Sequence, residues 1–210
     1  SEKQRRNLGF LSESRIEESL ALLGLSAACF DIVLMTHMHH DHSGGLTYVN
    51  EQGELVSKYP NAKIIVNDVE WYEMRNPNNR TRGTYLRENW EPIQEQVTLY
   101  SEYINVIPEI QMIRTSGHSN GHSIVLLKQG EDTMIHMGDL MLTHVHRNPL
   151  WVPAVDDYPM KSILAKDKWL RQAFENHYKF FFYHDQFFAV AEFDKEGKEF
   201  VDYVLRSRPP

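Results

Sequence analysis

A run of ten residues carries side chains that could bind metal ions. Thr36 to Gly45 reads Thr-His-Met-His-His-Asp-His-Ser-Gly-Gly. The four potential ligands in it are His37, His39, Asp41 and His42. Neutral imidazole nitrogens and carboxylate oxygens are ordinary ligands of zinc and similar divalent metals. Alternate residues of an extended segment share one side, so the first two histidines could reach one ion while a turn directs the next two ligands towards another. The spacing therefore predicts a two-metal site. A fortuitous or tag-like surface cluster is the alternative, but a tag lacks the interposed aspartate and the following diglycine.

Three later positions repeat the pattern of an apolar strand or a glycine followed by a ligand. They are Gly117-His118, Gly138-Asp139, and His184 after the apolar run 180–183. Taken singly, the first could be a loop residue, the second a cap, and the third a buried core histidine. Together with the first run they make five His and two Asp. Two five-coordinate ions that share one bridging carboxylate would need that number.

Apolar strands and turns are expected to hold these ligands. The run 31–35 is a predicted strand that ends just before His37, and Gly44-Gly45 lets the backbone turn after the ligands. Ser14 to Glu17 has the capping-box pattern, which predicts a helix that ends near Gly24. Further predicted strands are 62–66, 97–100, 103–107, 110–114, 123–127, 133–137, 180–183, 188–193 and 199–205, and further predicted helices are 68–75, 89–96 and 160–176. Leu164 belongs to the predicted apolar face of the last helix, and residues 46–49 are expected to begin a helical or irregular segment.

Composition is typical of a soluble protein with a single domain. No linker or shift in composition divides the 210 residues, so one domain over 1–210 is expected. The formal charge is -7, and no clustered basic face suits a nucleic acid. No apolar run approaches the roughly 18 residues of a membrane span, and no signal-peptide core follows the start Ser-Glu-Lys-Gln-Arg-Arg. We therefore expect a cytoplasmic protein with no membrane or nucleic-acid partner.

The order of these motifs resembles that of the metallo-β-lactamase superfamily over nearly the whole chain. His-x-His-x-Asp-His-x-Gly-Gly is followed by Gly-His-x-x-Gly-His, then by Gly-Asp, then by a late His after an apolar strand. Within the superfamily, the chain resembles the quorum-quenching lactonase branch, and most closely the YtnP-like lactonases. The stretches that carry this finer resemblance are 70–77, 85–94, 148–151 and 156–159.

The superfamily resemblance implies an α/β fold, the αββα sandwich, with the site at the edge where the sheets meet. The residues it assigns to one ion are His37, His39 and His118, those it assigns to the other are Asp41, His42 and His184, and the bridging ligand is Asp139. Family members begin with strands ahead of the first helix, whereas this chain starts just before that helix. We therefore expect an N-terminally truncated domain in which one sheet lacks its first strands.

One substrate-facing position departs from the lactonase pattern. Some acyl-homoserine lactonases place a Tyr three residues beyond the bridging Asp, and that position is Leu142 here. The nearby alternatives are Thr143, His144 and His146, of which His144 is the candidate for a hydrogen bond to the substrate carbonyl, with a structural role as its alternative. His122 could orient a metal ligand, because metal-bound imidazoles usually need a partner at their other nitrogen. The side chains expected to line part of an acyl pocket are Trp71, Tyr72, Trp90 and Trp151.

A metal-dependent lactonase is the leading functional hypothesis. Two divalent ions, most simply zinc with Mn, Fe or Co as alternatives, would provide a bridging hydroxide that opens an N-acyl-homoserine lactone ring. Asp41 and Asp139 would be the catalytic carboxylates and His144 the carbonyl donor. The partner is then a small lactone or ester, and a homodimer is an open expectation. A hydrolase of aryl esters or organophosphates, similar to phosphotriesterase-like members, is the alternative that Leu142 favours, and a non-catalytic metal-binding protein is a third hypothesis.

Overall fold

Residues 14–207, which the computed structural model describes together with Arg6, contain four α-helices and twelve β-strands. The helices are α1 (Ile16–Leu22), α2 (His40–Ser43), α3 (Asp68–Arg75) and α4 (Pro159–Glu175). The strands are β1 (Ile32–Leu34), β2 (Thr47–Val49), β3 (Leu55–Ser57), β4 (Lys63–Asn67), β5 (Val97–Tyr100), β6 (Tyr103–Ile107), β7 (Ile110–Arg114), β8 (Ser123–Gln129), β9 (Asp132–His136), β10 (Lys179–Phe181), β11 (Phe188–Phe193) and β12 (Phe200–Leu205). Short 3-10 helices lie at Ala27–Cys29, Thr81–Gly83, Arg87–Asn89, Glu91–Gln96, Gly138–Met141 and His144–Arg147.

The strands form one small parallel sheet, one large sheet and a hairpin. The small sheet has the order β1-β4-β5, and both of its pairings are parallel. The large sheet has the order β12-β11-β10-β9-β8-β7-β6. Its only parallel pairing among the described strands is β9 with β10, which α4 connects. Parallel neighbours need such a crossover, because a tight turn reverses the chain direction.

Alternation along the strands gives each main sheet one face towards the other sheet and one face towards helices. In β4, Ile64 and Val66 pack in a core cluster with Trp71 of α3, whereas Ile65 packs in the cluster that contains Val125 of β8. The residues on either side of Val125 lie in a third cluster with the apolar face of α4. The layers therefore run helix, small sheet, large sheet, helix. This is the αββα sandwich that the sequence motifs imply.

The buried face of α4 differs from the predicted one. Its buried residues are Ser162, Lys166, Trp169, Leu170, Ala173 and Phe174. Leu164, which was expected in the core, is 69% exposed. The first half of the helix instead turns two polar side chains inward, because they make hydrogen bonds to the loop that precedes it.

Three other local predictions are wrong. Residues 47–49 form strand β2, which pairs with β3 and does not begin a helix. Residues 89–96 do not form a continuous α-helix, because the chain has 3-10 helices at Arg87–Asn89 and Glu91–Gln96, the second with a proline in its first turn. The predicted helix is present as α1, but its N-cap is Arg15, and the Ser14 hydroxyl accepts from Ile16 N at 3.4 Å, so the expected capping box between Ser14 and Glu17 is absent.

The single domain over 1–210 and the N-terminal truncation stay predictions. No helix within residues 14–207 combines the length and the apolar character that crossing a membrane would require.

Candidate metal centre

Three buried histidines meet where two loops come together. His37 and His39 follow β1, and His118 lies in the loop between β7 and β8. Their potential ligand atoms lie within 4.8 Å of one another, with 2.9 Å between His39 Nδ1 and His118 Nε2. All three side chains are buried. We refer to these residues as the histidine triad.

A second group lies beside the triad and is more open to solvent. Its members, called the outer group below, are Asp41, His42, Asp139 and His184, and their ligand atoms also lie within 4.8 Å of one another. Asp41 and His42 lie on α2, Asp139 follows β9, and His184 follows β10. The side chains of Asp41 and His184 are 43% and 29% exposed. Solvent therefore reaches this group from one side.

The carboxylate of Asp139 faces both groups. Its Oδ2 atom lies 3.3 Å from His118 Nε2 and 3.8 Å from His37 Nε2. Its Oδ1 atom lies 3.2 Å from His42 Nε2 and 3.3 Å from His184 Nε2. One carboxylate shared by two ions would need this arrangement.

Burial and neighbouring groups keep His37 and His39 neutral and Asp139 ionised, whereas Asp139 raises the pKa of His184. Burial is the main reason that the pKa of His37 lies well below its ordinary value, and the nearby His42 is the second. Burial also lowers the pKa of His39 to about 3. Burial opposes ionisation of Asp139, but the His184 and His42 imidazoles close to it hold its pKa well below the usual range. Neutral imidazoles and an ionised carboxylate are the forms that metals require.

Asp156 orients His118 from the side opposite to the triad. Its Oδ1 atom accepts a hydrogen bond from His118 Nδ1 at 2.8 Å, and its Oδ2 atom accepts one from Ser162 Oγ at 2.5 Å. Burial disfavours the imidazolium, but the bond to Asp156 leaves the pKa of His118 above its ordinary value. With the proton held on Nδ1, Nε2 is left free to bind an ion. The backbone N–H of Asp157 donates to the carbonyl of His118 as well, at 3.0 Å.

Glu70 connects the two loops of the triad. It is fully buried on α3 and accepts hydrogen bonds from Met38 N at 2.8 Å, Tyr85 Oη at 3.1 Å and Ser119 Oγ at 2.5 Å. Burial raises the pKa of Glu70, and the three donors oppose this shift. Gly121 packs directly on this helix, and a Cβ atom there would overlap the backbone nitrogen of Glu70. The second glycine of the Gly-His-x-x-Gly-His motif therefore permits a close approach.

His122 holds the backbone at Asp139. The N–H of Asp139 donates to His122 Nε2 at 3.1 Å, so Nδ1 carries the proton and faces Thr115 Oγ1 at 2.9 Å. Gly138 has a φ of +52°, and a Cβ atom there would lie 2.5 Å from His122 Nε2. A side chain before Asp139 is thus disfavoured both by backbone conformation and by space. His122 contacts the backbone of the candidate ligand Asp139, and neither of its two side-chain hydrogen bonds is to a ligand imidazole, so its expected role in orienting a metal ligand stays a prediction.

His144 is bonded to the residue that follows His184. Its Nδ1 atom and its backbone nitrogen both contact Asp185 Oδ2, at 2.6 Å and 2.7 Å. The imidazole also lies against the rings of Phe188 and Phe200. These contacts tie the loop after Asp139 to the end of β10.

A family model of the metallo-β-lactamase superfamily matches residues 8–182. The chain belongs to the metallo-β-lactamase superfamily. A curated relative, the N-acyl homoserine lactonase of Bacillus cereus, is 27% identical over 123 residues, which are 59% of this chain and 43% of that protein. This chain therefore spans less than half the length of that lactonase.

Solved structures of superfamily members share the fold. A probable metal-dependent hydrolase from Staphylococcus aureus is 38% identical, with a TM-score of 0.94 over 100% of this chain and 74% of that one. AidC, a dizinc quorum-quenching lactonase in complex with the product N-hexanoyl-L-homoserine, is 18% identical, with a TM-score of 0.77 over 95% of this chain and 72% of that one. The second likeness concerns the fold alone. The superfamily and the αββα fold expected from the motifs are both confirmed.

The donor set of this superfamily member fits a pair of divalent ions. Five imidazoles and two carboxylates converge in the two groups, and imidazole with carboxylate suits zinc and its neighbours among the transition metals. The Nε2 atom of His37 is buried with no hydrogen-bond partner among the described residues. Such an atom costs free energy unless something binds it. A cation at the triad would satisfy it.

Sequence patterns do not predict the carboxylates that contact the candidate ligands or their loops, and they assign one aromatic residue to the wrong environment. Glu70 and Asp156 lie in stretches that carried the lactonase resemblance, but no pattern marked them as partners of the ligands. Asp185 could have been suspected, because it follows His184 directly. Trp71, expected to line an acyl pocket, is a core residue with its ring edge against Trp90, and that expectation is wrong.

Proposed function

We propose that the protein is a metal-dependent hydrolase that opens the lactone ring of N-acyl-homoserine lactone-type signals. The observation that carries this proposal is the position of Asp139, whose two oxygens face two separate sets of ligand atoms. A mononuclear or purely structural site does not need a carboxylate so shared.

In this proposal the histidine triad holds one ion, Asp41, His42 and His184 hold the other, and Asp139 is common to both. Zinc is the expected metal. Two such ions supply Lewis acidity towards a carbonyl oxygen and lower the pKa of water so that it becomes a nucleophile at neutral pH.

The protein's own side chains orient the site and move protons. Asp41 Oδ2 lies 3.5 Å from both His42 Nε2 and His184 Nε2, and the side chain is 43% exposed. A carboxylate at the solvent edge of the site can pass a proton between the reacting groups and water. His144 is a weaker candidate for the carbonyl donor than the motif suggests, because its Nδ1 is committed to Asp185. Its Nε2 would have to make the contact.

The preference for a lactone rests on similarity and on the loop before α4. The relative from Bacillus cereus is a lactonase by name, and four stretches of this chain resemble lactonases. Leu150 and Trp151 of the preceding loop are 70% and 57% exposed, and Tyr72 is 67% exposed. In this proposal the acyl tail of such a signal packs against these exposed apolar side chains.

Hydrolysis of aryl esters or organophosphates is the second candidate. Leu142 stands where some lactonases have a tyrosine, so no phenol at that position can contact a lactone carbonyl. Turnover of a homoserine lactone should be compared with that of a paraoxon-like triester. If the lactone is no better a substrate than the triester, the order of the two candidates is reversed.

The decisive experiment measures metal content and lactone hydrolysis together. The purified protein should contain about two ions per chain, and chelation should abolish acid release from a panel of lactones until metal is added back. Less than one ion per chain, or hydrolysis that survives complete chelation, would refute the proposal. Metal binding without any lactone hydrolysis in the loaded protein would favour a non-catalytic role.

A further inference from the structure

Glu70 is the buried side chain whose purpose the proposed chemistry leaves open. A fully buried carboxylate loses its hydration, and such groups persist where hydrogen bonds replace the lost water. Here three donors do so, and none of them is a metal ligand. A glutamine would keep one acceptor oxygen for Met38 and Tyr85 but would present an amide N–H₂ group to Ser119, so a carboxylate accepts from all three donors and a glutamine does not.

The positions of the donors give the carboxylate a specific geometry. Met38 N lies between His37 and His39 in the chain, so a bond to Oε1 fixes the backbone that aims both imidazoles. Ser119 directly follows His118, and its hydroxyl is bonded to Oε2 of the same carboxylate. Glu70 therefore sets the distance between the two loops that must come together for the triad to exist.

The hydrogen bonds of Glu70 reach only one of the two ligand groups. Its donors among the described residues come from the triad loops and from Tyr85, and none is a residue of the outer group. Tyr183 supports the outer group independently, because its hydroxyl donates to the carbonyl of Asp41 at 3.0 Å. A change at Glu70 should consequently affect one ion more than the other.

We propose that Glu70 is the positioning residue of the histidine triad and selectively raises the affinity of that triad for its ion. The inference rests on the proposed function, in which the triad and the outer group each bind a metal. Groups that hold metal ligands in place commonly contribute about 10- to 100-fold to metal affinity.

Glu70→Gln is the main variant, and Glu73→Gln is its matched control. Gln keeps the size and one acceptor oxygen, but it removes the charge and presents an amide N–H₂ to Ser119. Glu73 lies one turn further along α3 and accepts a hydrogen bond from Asn120 Nδ2 at 2.7 Å. It thus tethers the same helix to the same loop without touching the residues next to a triad histidine.

The measurement is the stepwise binding of cobalt(II) to chelated protein, followed by its visible absorption and by competition with a chelator of known affinity. We expect two steps in the wild-type protein, and we expect Glu70→Gln to weaken one of them by about 10- to 100-fold. The other step should be unchanged, as should both steps in Glu73→Gln. Thermal unfolding of the chelated proteins checks that each variant is folded.

Three outcomes would overturn the inference about Glu70. The first is that Glu70→Gln and Glu73→Gln bind cobalt(II) with equal affinity at each step. The second is that Glu70→Gln weakens both steps equally, and the third is that Glu70→Gln changes neither step. If Glu70→Gln does not fold, Ser119→Ala is the deciding variant, because it removes one of the three hydrogen-bond donors to the same carboxylate. A weaker single step in that variant supports the inference, and unchanged steps refute it. A wild-type protein that binds no cobalt(II) contradicts the proposed function itself, which is a separate result.

Discussion

Replacing Lys166 with Met should stabilise the protein at neutral pH and remove part of its pH dependence. Lys166 lies on α4 with no exposed surface, and its Nζ atom donates a hydrogen bond to the carbonyl of Trp151 at 2.5 Å. Burial lowers the pKa of Lys166 from 10.5 to about 8, although the nearby Asp156 opposes this shift. The ammonium group thus anchors the loop before α4 at a cost in free energy.

The sign and size of the effect follow from proton binding. Below pH 8 the amine is charged in both the folded and the unfolded protein, so the full cost of burying the charge is present. Between the two pKa values the unfolded chain binds more protons, and the free energy of unfolding therefore rises with pH. The drop in pKa corresponds to about 3 kcal/mol, and the lost hydrogen bond to Trp151 returns about 1 kcal/mol. The expected net gain for Lys166→Met at neutral pH is about 2 kcal/mol.

Urea unfolding of chelated wild-type and Lys166→Met protein at about pH 7 and about pH 10 tests this reasoning. In the difference between their free energies of unfolding, the contributions of all other groups that titrate in that range cancel. The advantage of the variant should shrink as the pH rises, since the wild-type amine loses its charge. If the variant has the same advantage in the free energy of unfolding at both pH values, or is less stable than the wild type at neutral pH, burial of a charged Lys166 does not destabilise the protein.

Three further outcomes are expected. Asp156→Asn should lower the affinity of the site for one metal by about 10- to 100-fold in a chelator competition, because His118 loses its charged partner; Asp157→Asn is the control, and equal losses in both variants would contradict the assignment. Gly121→Ala should lower the free energy of unfolding by about 1–3 kcal/mol in urea titrations, because its Cβ atom overlaps α3. Gly45→Ala is the control and should leave the free energy of unfolding nearly unchanged, because no atom lies within 4 Å of the added carbon. Equal stabilities of the Gly121→Ala and Gly45→Ala proteins would refute the predicted clash. Removal of metal by a chelator should lower the melting temperature, since a ligand at about 1,000 times its Kd adds about 4 kcal/mol; an unchanged melting temperature would mean that no ion is bound with useful affinity.

The ligand positions were accessible from the sequence because strand ends carry a local signal. A short apolar run with a glycine and a polar residue after it, as at Gly138-Asp139, marks a strand that stops at an edge. Most strands could be placed in the same way, since alternation and turn residues are local properties. The motifs single out seven side chains, and all seven lie in the two ligand groups.

Local errors arose where tertiary contacts override propensity. Residues 47–49 are a strand because β3 is available to pair with them, and nothing within so short a segment reveals that partner. Leu164 is exposed because the beginning of α4 is positioned by hydrogen bonds of Ser162 and Lys166 to the loop before it. Hydrophobic periodicity alone predicts the wrong buried face for this helix, because a buried lysine does not belong to an apolar pattern.

Residue spacing alone does not predict the two carboxylates that support the histidine triad, Glu70 and Asp156. Glu70 reaches Met38 from 32 residues away, and Asp156 reaches His118 from 38 residues away. No periodic pattern relates such pairs. Yet both acids, with Tyr85, lie in the stretches on which the resemblance to lactonases rests, and all three contact the triad or its loops. Those stretches therefore contain residues that support the histidine triad, and Trp71, in the first of them, packs in the core.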